Sequence, residues 1–305
     1  MKKVCFVSNY YFVDYIRTVS LLNIFKSDEN ILCYPCINSH AGLRGYVETL
    51  SKFLMIRLFK NVDCYFLGYF GLLLFPVVKL LSNRPVIFDA FISIHETACI
   101  ERKLFKETSV LGKLLYWFEN ACFKNSKYVL VDTKAHARHF AELYPENKTK
   151  FRPVYLEADS ELFNPDKEYE SPYGELKNKF IVFYYGSGQN FQGIETIMSA
   201  IEKIDNLNIY FVIVWPKQII KKPEKNNYAV INHIEYSKLP SYIAHSNLCL
   251  GGHFSSYPKA KNVIAGKIFQ FMRMRKPIIM ADTSATRELF EHKKNAWLTS
   301  PEDSV

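Results

Sequence analysis

The chain has 305 residues, 49% of them hydrophobic and 23% charged, with a formal net charge of +9. A single core stops growing near ~250–300 residues, so this length predicts two domains, and the composition excludes a disordered chain. The charge is lopsided: residues 1–150 hold 20 Lys+Arg against 13 Asp+Glu, and the remainder 19 against 17. A basic half fits nucleic acid, an anionic membrane surface, acidic substrates or a solvated lysine-rich face. With no Arg-rich helix and no aromatic RNA-binding signature, nucleic acid is set aside as a partner.

The start, MKKVCFVSNYYF, has only a short apolar run and no small-residue cleavage site, so no secretory signal is read. Next in the chain, Cys33 and Cys36 form a CxxC. It ends a strand-like run and has no second pair, so neither redox chemistry nor zinc is expected of it. Seven cysteines in irregular positions point to a reducing compartment. The most membrane-like stretch, Cys64–Val78, contains Pro76 and is shorter than the ~20 residues that span a bilayer. It reads as a buried strand followed by a helix. The expected location is cytoplasmic, with peripheral placement at the inner face of a membrane.

Short apolar runs alternate with helical-period segments, the pattern of parallel sheets wrapped by helices. In the first half the strand candidates are Lys3–Val7, Ile31–Pro35, Cys64–Leu67, Val86–Asp89, Tyr128–Asp132 and Arg152–Leu156. Helical stretches include Leu43–Phe59 and Leu111–Phe123. The polar, Pro-containing segment 160–179 reads as an interdomain linker. The alternation then restarts, with strands at Phe180–Tyr185, Ile209–Val214, Tyr228–Ile231, Asn247–Leu250, Pro277–Met280 and Ala296–Leu298. Gly193–Ile204, Leu239–Ala244, Gly266–Arg275 and Ala285–His292 read as helices. The fold class is therefore α/β, two Rossmann-like doubly wound domains (1–159 and 180–305) facing across a cleft. Ligands of such sheets bind outside the carboxyl ends of the strands.

Two passages carry anion chemistry. Tyr184–Ile201 is a strand, a turn with Gly186, Gly188 and Gly193, then a helix. Glycines allow backbone N–H groups to approach a phosphate, and a helix N-terminus favours an anion; a plain tight loop is the alternative. In Tyr257–Asp282, Lys259, Lys261 and Lys267 cluster before and within the start of a helix. Lysines there oppose the helix dipole, which a bound diphosphate would explain better than a solvated basic face.

These passages, with Arg152–Pro165 and Ala281–Asp303, resemble the donor half of the GT-B glycosyltransferases of family 4, the glycosyl transferases group 1 domain. Asp159, Phe163, Pro165, Gly193, Ile194, Lys267, Lys276, Pro277, Arg287, Glu288 and Asn295 fall in the family's order and spacing over Asp159–Asp303. The resemblance implies a retaining, metal-independent transfer from a nucleotide-diphospho-sugar to a saccharide or lipid-linked acceptor, as in cell-surface polysaccharide or glycoconjugate synthesis. It implies no cofactor, the nucleotide-sugar being a co-substrate. Gly186, Ser187, Gly193, Lys259, Lys261, Lys267 and Gln270 are the expected donor contacts. Separately, the basic first half and the aromatic, apolar Tyr65–Val78 region make contact with an anionic membrane or a membrane-borne acceptor a further expectation. The chain departs from the family pattern at Ser187, Gln192, Asn262 and Gln270, where members usually carry charged groups. Those departures keep a second reading open, a non-catalytic nucleotide-sugar-binding subunit. Sugar-nucleotide 2-epimerases share the architecture, but their acid/base motifs are not recognisable here.

In the first half, DAFISIHETA follows a strand and supplies Asp89, Ser93, His95 and Glu96. Its position predicts His95 and Asp89 as catalytic beside Lys267, with Ser93 and Glu96 toward the acceptor; a surface loop is the alternative. His253 also follows a strand end and is placed near the sugar. His136 and His139 read as a solvated helix face, and Trp215 as either a base-stacking platform or core. The resemblance further implies a C-terminal crossover helix, which should begin near Ser300, where the sequence given stops.

Overall fold

The computed structural model describes residues 1–10, 15–68 and 70–304. Two compact units divide the chain, Met1–Leu156 and Glu157–Val305. In the first, the order is β1 (Lys2–Ser8), α1 (Ile16–Ser27), β2 (Ile31–Ile37), α2 (Gly42–Phe59), β3 (Cys64–Leu67), α3 (Phe75–Leu81) and β4 (Val86–Asp89). A single turn α4 (Ile94–Glu96), α5 (Val110–Asn125), β5 (Tyr128–Val131), α6 (Lys134–Leu143) and β6 (Phe151–Pro153) complete it. The strands form a parallel sheet ordered β2-β1-β3-β4-β5-β6.

Both faces of this sheet are covered. On one, Phe53 of α2, Val78 of α3, Phe123 of α5 and Phe140 of α6 share a core. On the other, Leu21 of α1 packs with Phe6 and Phe66. Double coverage is why these strands read as continuous apolar runs rather than as alternating ones. It also disposes of the CxxC. Residues three apart in a strand point to opposite faces, and Cys36 joins the first core while Cys33 packs on the second. The neighbour of Cys36 is Cys5, with 3.5 Å between the sulfurs.

The second unit runs β7 (Phe180–Tyr185), α7 (Ile194–Lys203), β8 (Ile209–Val214), β9 (Tyr228–Ile231), α8 (Leu239–Ala244) and β10 (Leu248–Gly252). It continues with α9 (Pro258–Asn262), α10 (Gly266–Arg273), β11 (Ile278–Ala281) and β12 (Trp297–Thr299). This sheet is also parallel, in the order β12-β11-β10-β7-β8-β9.

The segment 160–179 is not a free tether. Phe163 is fully buried, the Tyr173 hydroxyl donates to the Tyr242 carbonyl at 2.7 Å, and Arg275 grips Asp166. It is a strap laid on the second unit, whose boundary therefore falls at Glu157. The helix expected over Ala285–His292 shortens to a single 3-10 turn, Thr286–Glu288. Thr283 and Thr286 exchange side-chain bonds with each other's backbone N–H, and the Thr286 hydroxyl donates to Ala281. Such local bonds compete with the helical ladder.

Candidate functional site

The carboxyl ends of β7 and β10 and the start of α10 bring together the strongest chemistry in the second unit. Directly after β7, a Cβ on Gly186 would stand 2.7 Å from the Trp215 ring, and only glycine fits. At the entry to α7, Gly193 has φ +73°, and a Cβ there would reach 2.5 Å from the Phe254 carbonyl carbon. The glycines thus let three chain segments touch. Gln192 holds the turn between them: its Oε1 accepts from the N–H groups of Ser187 (3.0 Å) and Gln189 (3.3 Å).

Lys267 is the second residue of α10 and only 6% exposed. Its ammonium sits 4.0 Å from the centroid of Tyr184 and 5.5 Å from that of Tyr185. Among the described residues its Nζ has no hydrogen-bond partner, nor does the buried Tyr184 hydroxyl. Burial pulls the lysine down to about 7. Gly252, with φ +67°, closes the other side: a Cβ built on it would be 3.8 Å from Nζ. A buried cation without a carboxylate, at a helix N-terminus that already favours anions, is an incomplete ion pair. An anionic ligand would complete it.

Around this centre, His253 packs edge-on to Phe191 at 4.9 Å, and Lys259 lies over the same ring at 5.4 Å. Burial, with Lys267 and Lys259 nearby, holds the His253 imidazole down to about 3, so it is neutral at physiological pH. One turn beyond Lys267, Gln270 is buried, donates to the Tyr236 hydroxyl at 3.0 Å and keeps Oε1 without a partner among the described residues. Ser187 is exposed on the turn. Lys261 is exposed on α9, and its backbone carbonyl accepts from Ala285 and Ser284. Trp215 is 4% exposed and packed under Gly186, so it is core, not a stacking platform.

The first-unit candidates are placed differently. Asp89 is wholly buried and gripped by Arg17 of α1 at 2.6 Å, and Arg17 also donates to the Val154 carbonyl. Burial pushes the Asp89 carboxyl up and the guanidinium offsets part of that rise, and the pair ties α1 to β4. Asp89 is therefore held in a buried ion pair at the carboxyl end of β4. Ser93 caps α4 and donates to Glu119 at 2.6 Å. Glu96 pairs with the half-buried His139 at 2.6 Å, and His136 is buried against Phe140, so His136 does not belong to a solvated face. His95 is also buried, edge-on to Tyr116, with Nδ1 unbonded among the described residues.

Sequence reasoning missed Arg17, Glu119 and Tyr184. Glu119 lies within an apolar helix and Arg17 begins one, and both are charges for which patterning predicts exposure. Tyr184 reads only as strand. Among the described residues, no three His, Cys, Asp or Glu side chains converge as a metal-binding group, and no helix is long and apolar enough to cross a membrane.

Two parallel six-stranded α/β units in one chain define the GT-B fold class, and the solved structures similar to this chain agree. HepE from Anabaena, crystallised with UDP-glucose, matches with TM-score 0.69 at 14% identity over 100% of this chain and 87% of its own. Sucrose-phosphate synthase from Thermosynechococcus elongatus matches with TM-score 0.69 at 11% identity, over 100% of this chain and 87% of that one. A Listeria monocytogenes protein assigned as a UDP-N-acetylglucosamine 2-epimerase gives TM-score 0.55 at 11% identity, covering 94% and 82%. At these identities the likeness is one of fold. No family model matches the sequence, and no curated protein matches it.

Proposed function

We propose that this protein is a glycosyltransferase that moves a sugar from a nucleotide-diphospho-sugar to a saccharide or lipid-linked acceptor, with retention and without a metal. The observation that carries the reading is Lys267, a buried ammonium at the N-terminus of α10 with no hydrogen-bond partner among the described residues. Breaking a glycosyl–phosphate bond builds oxocarbenium character on the sugar and negative charge on the departing diphosphate. Lys267, the helix terminus and the glycine turn are what this chain offers to hold that charge. Lys259 supplies a second cation at the edge of the site, and Gln270 offers a free amide oxygen to a hydroxyl. The UDP and UDP-glucose complexes of HepE support a uridine nucleotide as donor. Cell-surface polysaccharide or glycoconjugate synthesis is the corresponding role.

A second reading, a non-catalytic nucleotide-sugar-binding subunit, has one observation in its favour. Gln192 spends its carbonyl oxygen on the loop backbone and Gln270 its amide on Tyr236, where family 4 members carry charge. A thermal-shift screen with UDP, GDP, CDP, ADP and dTDP tests the common core of both readings, because a ligand that binds only the folded state raises its stability. UDP is expected to give the largest shift. Lys267→Ala should weaken that binding by about 1.5–3 kcal/mol, the scale of a hydrogen bond to a charged group. Unchanged affinity in a folded variant rejects the site. Sugar transfer from the nucleotide-sugar to an acceptor then separates enzyme from subunit.

A further inference from the structure

Helix α5 is apolar on two sides. Its inner stripe, including Cys122 and Phe123, belongs to the core. Its outer stripe, Val110, Leu114 and Trp117, repeats at helical spacing and faces solvent, Val110 being 84% and Trp117 65% exposed. Leu111, Leu104 and Phe105 are exposed beside them. The preceding loop lies against the first turn of the helix, since a Cβ on Gly112 would stand 2.4 Å from the Lys106 carbonyl oxygen. Four exposed cations, Arg102, Lys103, Lys106 and Lys113, are set among these apolar residues. None forms an ion pair among the described residues, and Glu107 is the exposed acid in residues 102–118.

We propose that the Arg102–Trp117 surface docks on an anionic lipid bilayer, with the apolar side chains entering the interface and the four cations meeting headgroup phosphates. Tryptophan beside leucine and lysine is the composition of interfacial helices. A second copy of the chain fits poorly, because a twofold contact would set the same four unpaired cations against each other. Helix α2 also exposes apolar residues, Leu58 and Phe59 among them, but three of the four cations on it or directly after it are already engaged. Lys52 bonds Glu48, Arg57 the Leu81 carbonyl, and Lys60 lies over Tyr34. This inference gives a place to membrane contact for a lipid-linked acceptor and does not depend on nucleotide binding.

Cosedimentation of the full chain with phosphatidylcholine vesicles, with and without phosphatidylglycerol, tests it. Binding is expected only with the anionic lipid and should weaken as salt rises. Replacing Lys103, Lys106 and Lys113 together by Gln should weaken it about a hundredfold, at roughly fivefold per cation near the surface. Leu114→Ser with Trp117→Ser should also lower binding, while Leu58→Ser with Phe59→Ser should leave it unchanged. Several results would overturn the proposal: no binding, equal binding to neutral vesicles, loss through the α2 variant instead, or a dimer that the Trp117 variant dissociates. The thermal melt of each variant without ligand reports whether it is folded, and the UDP-induced shift on the same samples tests the donor reading separately.

Discussion

At Lys267 a cation is held where water does not reach it, and two tyrosine rings supply only part of the lost hydration. In the free protein its titration is centred at about 7, because burial disfavours the charged form. On the proposed site a bound diphosphate would restore the ammonium, so above pH 7 binding would take up a proton. Affinity for UDP should therefore fall as pH rises past 7, by up to about tenfold per unit until the bound-state value is reached. Calorimetry in two buffers of different ionisation enthalpy would detect the proton. Arginine keeps its charge throughout, so Lys267→Arg should flatten the profile. A wild-type affinity constant from pH 6.5 to 8.5 would show that the lysine does not meet the anion. The neighbouring His253 is already neutral across that range and adds no slope.

At the scale of elements, the same glycine-rich turn is both a local and a tertiary feature. Gly193 must be glycine twice over, for its positive φ and for the Phe254 backbone that occupies the space of a side chain. Gly42 offers the contrast: its φ is +65°, but nothing lies within 4 Å of a built Cβ. Gly42→Ala should cost only the left-handed backbone term, about 1–2 kcal/mol. Gly193→Ala should cost roughly 3 kcal/mol or more, because β10 and α7 must also move apart. Urea denaturation of the two variants gives the comparison, and equal costs would mean that the Phe254 contact yields freely. Strands and long helices were legible because their periodicity is local. The Ala285–His292 segment was not, because its threonine bonds offer the backbone an alternative that hydrophobic pattern does not register.

On the scale of the whole molecule, each unit hides charge inside its core. Glu119 is the clearest case, fully buried and pushed up to about 7 by desolvation, against the pull of bonds from Ser93, Tyr144 and Ile94. The unfolded chain ionises this carboxyl near its ordinary value and the folded chain only near 7. Between those two pH values the folded state holds the extra proton, and stability is lost as pH rises. The loss amounts to about 3 kcal/mol at most, at 1.36 kcal/mol per unit. Glu119→Gln should remove that slope between pH 5 and 7.5 in urea melts, and an unchanged slope would mean that other groups set it. Composition and periodicity alone determined two parallel α/β units, their strands, and the glycine and lysine segments of the second, since each depends on residues close in the chain. Only tertiary structure decided that 160–179 is a strap, that Asp89 belongs to Arg17, and that Lys267 has no hydrogen-bond partner among the described residues. Those outcomes depend on which distant side chains share a buried space, where a charge must find a counter-charge or wait for one.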